Sequence, residues 1–205
     1  GNVTFENRDV VGVTDEAIYG LGGRVELITS EGGGRTPRVN DRRGSVQASV
    51  IALGVNESEI IAEGEVESVL VTDPAEVGTE DRARRPSLLE PSEPTYVTAG
   101  RLVYGGATGR AVYSQGARLW QAATEFVADT IVLDEDNGNI NATGGVRTRS
   151  MISQVNNETG LQEESINTGK ANEFMFDDSV HQAIYTTDAS LLGPRGDLTA
   201  DQISL

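Results

Sequence analysis

At 205 residues the chain has room for one long domain or two small ones. A net charge of −16 works against nucleic-acid binding, which needs clustered Lys and Arg, and against simple adsorption to anionic lipid. The absence of cysteine excludes disulfides, thiol catalysis and cysteine-ligated metals, and 24 glycines with only 5% aromatic residues fit many short strands rather than a large helical core.

The apolar runs are only a few residues long, too short for a transmembrane helix. Gly1 leads directly into strand-like sequence without a secretory leader pattern, so a processed or trimmed product is expected. Val3 and Phe5 alternate with polar neighbours, and the run from Val13 to Tyr19 resembles the later run from Ala128 to Leu133. Gly22-Gly23 is a hairpin-turn signal, with Arg24 to Leu27 as the return strand. Residues 30–45 are polar, Gly-rich and locally basic and read as a flexible loop; no Gly-Lys-Ser/Thr follows to make a phosphate cradle.

Two gapless internal matches organise the rest. At an offset of 80, Ala48, Ile51, Leu53 and Ile60 fall on Ala128, Ile131, Leu133 and Ile140, and Ala62, Gly64 and Val66 fall on Ala142, Gly144 and Val146. At an offset of 72, Leu102, Tyr104, Tyr113 and Leu119 fall on Phe174, Phe176, Tyr185 and Leu191. Phe126, Asp129, Ile131 and Leu133 then fall on Leu198, Asp201, Ile203 and Leu205. Between the repeats, residues 73–95 hold four of the six prolines and read as a loop or linker. Residues 153–170 read as a second polar connection. The chain ends inside a unit, with the strand after Leu205 expected but missing.

Within each unit, pairs such as Leu102/Tyr104, Ala111/Tyr113 and Ala117/Leu119 are two residues apart and share one face. Arg101, Arg110, Arg118 and Glu125 take the other, solvated face. Parity slips by one residue between Ala128 and Ile131, at Asp129, as a bulge or corner requires. Asn137-Gly138 signals a type I′ hairpin turn. The expectation is an all-β, elongated, folded-over antiparallel sheet of roughly sixteen strands of ~5–8 residues.

Little here carries chemistry. His181 is the only histidine and sits in a polar tip, so neither a Ser/His/Asp set nor zinc spacing is expected. The run Asp134 to Asn139 superficially resembles a calcium loop, but Asn139 stands where an EF-hand needs its sixth-position Gly, and Gly145 where it needs its twelfth-position Glu. It reads as an acidic hairpin tip. Asp15, Asp129 and Asp201 recur at matching places, as expected of corner residues that cap backbone N–H groups. Trp120 faces away from the apolar set, to cover an outer patch or to meet a partner. No catalytic residue, metal site or cofactor is expected.

The ordered series A-x-x-L-x-Y, A-x-Y-x-x-x-A-x-L, F-x-A-D-x-I-x-L and I-x-A-x-G-x-V, carried by residues 99–146 and again by 171–205, resembles the OstA/LptA repeat of bacterial lipopolysaccharide transport. Residues 3–66 are similar to the same superfamily in diverged form, in the manner of its LptC-like branch; the superfamily also includes the LptD N-terminal domain. The resemblance implies a β-jellyroll that shields acyl chains between two layers, in a non-enzymatic periplasmic bridge between the inner and outer membranes. The expected partners are lipopolysaccharide or a related glycolipid, and other OstA-like proteins joined head-to-tail through edge strands. Carried over by position, the lipid-binding lining comprises Leu102, Tyr104, Tyr113, Leu119, Phe126, Ile131, Leu133 and Ile140. The last copy adds Phe174, Phe176, Tyr185, Leu191, Leu198 and Ile203. In domain terms, residues 1–72 form a diverged repeat block, 73–95 a Pro-rich loop or linker, and 96–205 an LptA-like block continuous with the first. The strong acidity would leave phosphorylated head groups in solvent with divalent cations. The alternative is a structural module of an outer-membrane translocon, or an edge-paired β filament, with a dry core. A carbohydrate-active or adhesin solenoid is disfavoured because no repeated aromatic or acidic ladder is present.

Overall fold

The computed structural model describes residues 3–7, 10–20, 23–30, 34–54, 58–71, 86–155, 162–194 and 196–205. Among them the first eight strands are β1 (Val3–Asn7), β2 (Val10–Thr14), β3 (Glu16–Gly20), β4 (Arg24–Ile28), β5 (Arg38–Asp41), β6 (Gly44–Gln47), β7 (Val50–Gly54) and β8 (Glu59–Leu70). The remaining seven are β9 (Thr95–Gly105), β10 (Arg110–Gln121), β11 (Thr124–Asp134), β12 (Asn139–Val155), β13 (Gln162–Asp177), β14 (Gln182–Gly193) and β15 (Gly196–Ser204). All belong to one antiparallel sheet that does not close into a barrel.

The sheet is folded along its length, because each long strand changes register partway. The shifts fall between Glu63 and Val66, Ser114 and Ala117, Val127 and Thr130, Thr143 and Val146, Lys170 and Glu173, and Thr186 and Ala189. On one side of this corner, layer one runs from β3 and β4 through β7 and the paired halves of β8 to β15 that contain Leu102, Ile131 and Tyr185. On the other, layer two runs from β1, β2, β5 and β6 through the halves that contain Val97, Leu119 and Phe126. The corner expected at Asp129 is therefore present. At Asp15 the chain passes straight from β2 in layer two to β3 in layer one.

Every second long strand turns the corner on two consecutive left-handed residues: Gly64-Glu65, Gln115-Gly116, Gly144-Gly145 and Thr187-Asp188. The recurring Gly of the G-x-V element is required twice over. Gly144 has φ +83°, and a Cβ added there would lie 2.4 Å from Asp129 Oδ2. N–H capping by the recurring aspartates holds at Asp15, whose carboxylate accepts from the Arg35 N–H at 2.5 Å. Asp129 makes no such bond among those described; its carboxylate lies where a Cβ on Gly144 would fall.

Three further expectations are corrected. Of the loop expected at 30–45, residues 31–33 lie outside the described residues, and from Arg38 onward the segment is a hairpin, β5–β6, because Val39 and Val46 pair across it and Val39 enters the core. The connection at 153–170 is mostly ladder: β12 and β13 pair from Ser150/Asn167 out to Val155/Gln162, beyond the reach of their neighbours β11 and β14. Residues 156–161 between them lie outside the described residues. Asn137-Gly138 does not make a type I′ turn. Only Gly138 is left-handed (φ +75°), closing a four-residue loop with its N–H on Asp134 O at 2.8 Å.

Of the Pro-rich segment, residues 72–85 lie outside the described residues, whereas residues 86–94 form ordered turns against the body. On either side of residues 72–94, β8 and β9 pair in a ladder that runs from Glu59/Gly105 to Leu70/Thr95. One apolar cluster extends from Val25 and Leu27 to Tyr185 and Ile203.

Candidate functional site

The inward faces of the two layers make the candidate site. Strand alternation sends Leu102, Tyr113, Ile131, Leu133, Ile140, Phe174, Phe176, Tyr185 and Ile203 inward from layer one, and all are buried. Leu119 and Phe126 do the same from layer two. Tyr104 and Leu191 are half-buried, and Leu198 is 51% exposed. Beyond these, the structure adds Val25, Leu27, Ile51 and Leu53 from the first block, and Val66, Val97 and Val146 from layer two. Each belongs to an alternating run, so the signal for them was already in the sequence.

The layers touch. Phe126 on β11 meets Phe174 on β13 with ring centroids 5.3 Å apart, and Phe174 meets Tyr185 edge-on at 4.9 Å. The Tyr185 hydroxyl bonds Thr148 Oγ1 of layer two at 2.7 Å. Nearer the N-terminus, Leu27 on β4 presses on Gly12 of β2, and Thr14 Oγ1 donates to Ile28 O at 2.6 Å. These contacts pair a strand of layer two with one that comes one or two places later in layer one. That offset explains Leu198: at the C-terminal end layer two overhangs, and the half of β15 that holds Leu198 has no described strand opposite its inward side, whereas Ile203 on the other half is buried.

Opposite the corner the sheet has an open margin, where the turns of the two layers approach, and two polar groups bridge it. In the first, Arg43, in the β5–β6 turn of layer two, reaches Glu135 Oε2 and Tyr104 Oη of layer one, each at 3.0 Å. Tyr104 also donates to Glu135 at 3.1 Å. Burial, with the Glu135 charge second, pushes the Tyr104 phenol up to about 12. Burial works against the Arg43 charge, yet Glu135, Tyr104 and Asp41 together hold its pKa above the usual value. Burial, reinforced by the Glu135 charge and opposed by Ser68, pushes Tyr113 up to about 12, and burial raises Tyr185 against the opposing hydrogen bond with Thr148.

The second bridge is the segment 86–94. Ser87 Oγ is 2.8 Å from His181 Nδ1, and Ser87 N–H donates to Asp178 Oδ1 at 2.6 Å, both in the β13–β14 turn of layer one. Sequence alone gave His181 no partner. Asp178 takes the serine's backbone proton rather than the imidazole's, so the three residues brace a turn and do not form a charge-relay geometry. At the other end Gln121, a layer-two residue only 4% exposed, accepts from Glu90 N–H at 2.6 Å and donates to Glu90 O, Glu93 O and Thr95 Oγ1. Between the two anchors Leu89 enters the apolar cluster at 3% exposure.

On the outer face Trp120 stacks on Tyr96 at 5.5 Å, with the Arg118 guanidinium 4.9 Å from its ring, so it covers an outer patch. In the acidic tip two side chains serve its own backbone, Asp134 Oδ1 accepting from Asp136 N–H and Asn137 Oδ1 from Asn139 N–H, while Glu135 meets Arg43 and Asn139 Oδ1 accepts from Asp178 N–H at 2.9 Å. Among the described residues no group of three or more His, Cys, Asp or Glu converges as a metal site would require. No described helix crosses a membrane. Buried polar side chains are confined to Thr14, Ser68, Thr95, Gln121 and Thr148, and no buried residue among those described is charged.

No protein-family model matches the chain, and no curated protein does. Among solved structures it is similar to LptH, the LptA-homologous periplasmic component of the conserved lipopolysaccharide transport device from Pseudomonas aeruginosa. That likeness has a TM-score of 0.50 at 15% identity and covers 76% of this chain and 92% of that one. The chain thus has the OstA/LptA-like β-jellyroll fold.

Proposed function

We propose that this protein is a non-enzymatic periplasmic bridge that carries the acyl chains of lipopolysaccharide or a related glycolipid between its two layers, from the inner toward the outer membrane. The observation that carries this reading is the continuous inward apolar surface, uninterrupted by charge among the described residues and running through both repeat blocks. The fold it shares with a lipopolysaccharide-transport component supports the same reading. The lining is the set from Leu102 to Ile203 named above, with the head groups left in solvent beside divalent cations because the chain is acidic. The two blocks act as one body through the β8–β9 ladder, and neighbouring OstA-like modules add at the free edge of β15.

A photoreactive residue placed at Leu119 or Phe176 should crosslink to lipopolysaccharide, and one at the outward Arg118 should not. Crosslinks from Arg118 alone would sink the conduit. Sedimentation over a range of concentrations should show end-to-end association; a strict monomer at high concentration counts against edge pairing.

A second reading, a translocon or filament module with a dry core, is favoured by one specific observation. Phe126, Phe174, Tyr185 and Thr148 already fill the space between the layers at contact distance. A complete absence of inward crosslinks, with association intact, would select it.

A further inference from the structure

The open margin gives a chain lengthwise access to the space between the layers, and there residues 86–94 run from layer one to layer two. Their attachment is unlike that of any strand. No ladder holds them. Their own backbone bonds are turn bonds, Leu89 N–H to Pro86 O at 2.9 Å and Glu93 N–H to Glu90 O at 3.2 Å. To the body they are anchored through side chains: Ser87 to the β13–β14 turn, and Gln121 to Glu90 and Glu93. A segment held in this way can leave without breaking the sheet.

Gln121 is a buried amide, and apart from Thr95 every partner it has belongs to this segment. Burying an amide is costly unless its bonds are made, so the position is built to hold residues 86–94. Pro86, Pro91 and Pro94 limit the freedom the segment gains on release, which favours the closed state until cargo competes for its place. What the segment inserts is hydrocarbon: Leu89 is buried in the apolar cluster, with Leu88 packed against it.

We propose that residues 86–94 are an autoinhibitory strap, in which Leu88 and Leu89 occupy the margin of the apolar interior and are displaced by an entering acyl chain. The proposal rests on the lipid-bridge reading. The strap competes with cargo for one site, so weakening its anchors raises the fraction of binding-competent protein and tightens apparent affinity by that factor.

Dansylated undecanoic acid, a single-chain fluorescent probe, tests this. Leu89→Ala and Gln121→Ala should each bind the probe roughly tenfold more tightly than the wild type. Gly145→Ala, which strains the corner on the side of the sheet opposite the strap and lies outside the lining, should bind as the wild type does. In the wild type, amide exchange at Leu89 and Glu90 should speed up on adding probe, while that at Tyr113 should not. Equal affinity in the wild type and both strap variants, or tightening by Gly145→Ala to the same degree, overturns the strap and leaves the bridge reading standing. Unchanged exchange at Leu89 and Glu90 while probe binds overturns it equally. No binding by any variant overturns the bridge reading, and the strap as its gate falls with it.

Discussion

Tyr185 and Gly169 sit on opposite layers, and the ring of one lies so close to the backbone of the other that a Cβ on Gly169 would be 2.4 Å from Cε1. The same ring carries the hydroxyl that bonds Thr148 at 2.7 Å. One side chain thus sets the spacing of the layers by shape and also by a hydrogen bond.

Gly169→Ala should therefore destabilise the fold by roughly 1–3 kcal/mol, because the ring it meets is held from behind by Phe174. Tyr185→Phe should cost about 1–2 kcal/mol, since it leaves the buried Thr148 hydroxyl unpaired. Urea unfolding midpoints measure both. The double variant should cost less than the sum, because the two residues share one contact.

The corner yields a sharper comparison. Gly144 and Gly145 are both left-handed, at φ +83° and +59°. Only Gly144 has a neighbour, Asp129, in the place of a Cβ; around Gly145 the space is open. Gly145→Ala should cost about 1 kcal/mol, the ordinary left-handed penalty, and Gly144→Ala distinctly more. Equal losses in thermal unfolding would mean that Asp129 moves aside freely.

What could be read from the chain, and what could not, divides along physical lines. Alternation says which face of a strand a residue occupies, so the inward orientation of Leu102, Tyr113 and Leu119 and the slip at Asp129 were legible. Alternation does not say what lies opposite. The offset between the layers, which leaves Leu198 exposed beside the buried Ile203, depends on three-dimensional packing that no single strand encodes. Corners on Gly144-Gly145 announce themselves, whereas Thr187-Asp188 adopts the same conformation without glycine and carries no such mark. The strap was hidden because prolines remove periodicity. Its one sign was the Leu88-Leu89 doublet in an otherwise polar segment, and its anchor Gln121 looked like any polar residue at a strand end.

Alkaline pH should unfold the protein through its buried phenols. Tyr113 and Tyr104 are raised to about 12, above an unfolded value near 10, so folding favours the protonated form. Their contribution is complete below about pH 10 and is lost as pH climbs toward 12. For the fully buried Tyr113 a shift of this size corresponds to about 2–3 kcal/mol. Denaturant titrations between these limits should show stability falling in the wild type and falling less in Tyr113→Phe. The part of the tyrosinate absorbance that Tyr113→Phe removes should rise together with unfolding, not before it.

The Arg43–Glu135 bridge closes the open margin between β5–β6 and β11–β12, two hairpins far apart in sequence. Arg43 is partly exposed, which limits the pair to about 1 kcal/mol of coupling and makes it sensitive to salt. A double-mutant cycle with Arg43→Ala and Glu135→Gln should return that coupling at low ionic strength, with most of it lost in molar salt. Tyr104→Phe should lower the coupling further, because its hydroxyl touches both ions and holds them in place. A cycle that returns zero coupling at low salt would assign closure of the margin to apolar contact between the layers, and to the strap, rather than to these charges.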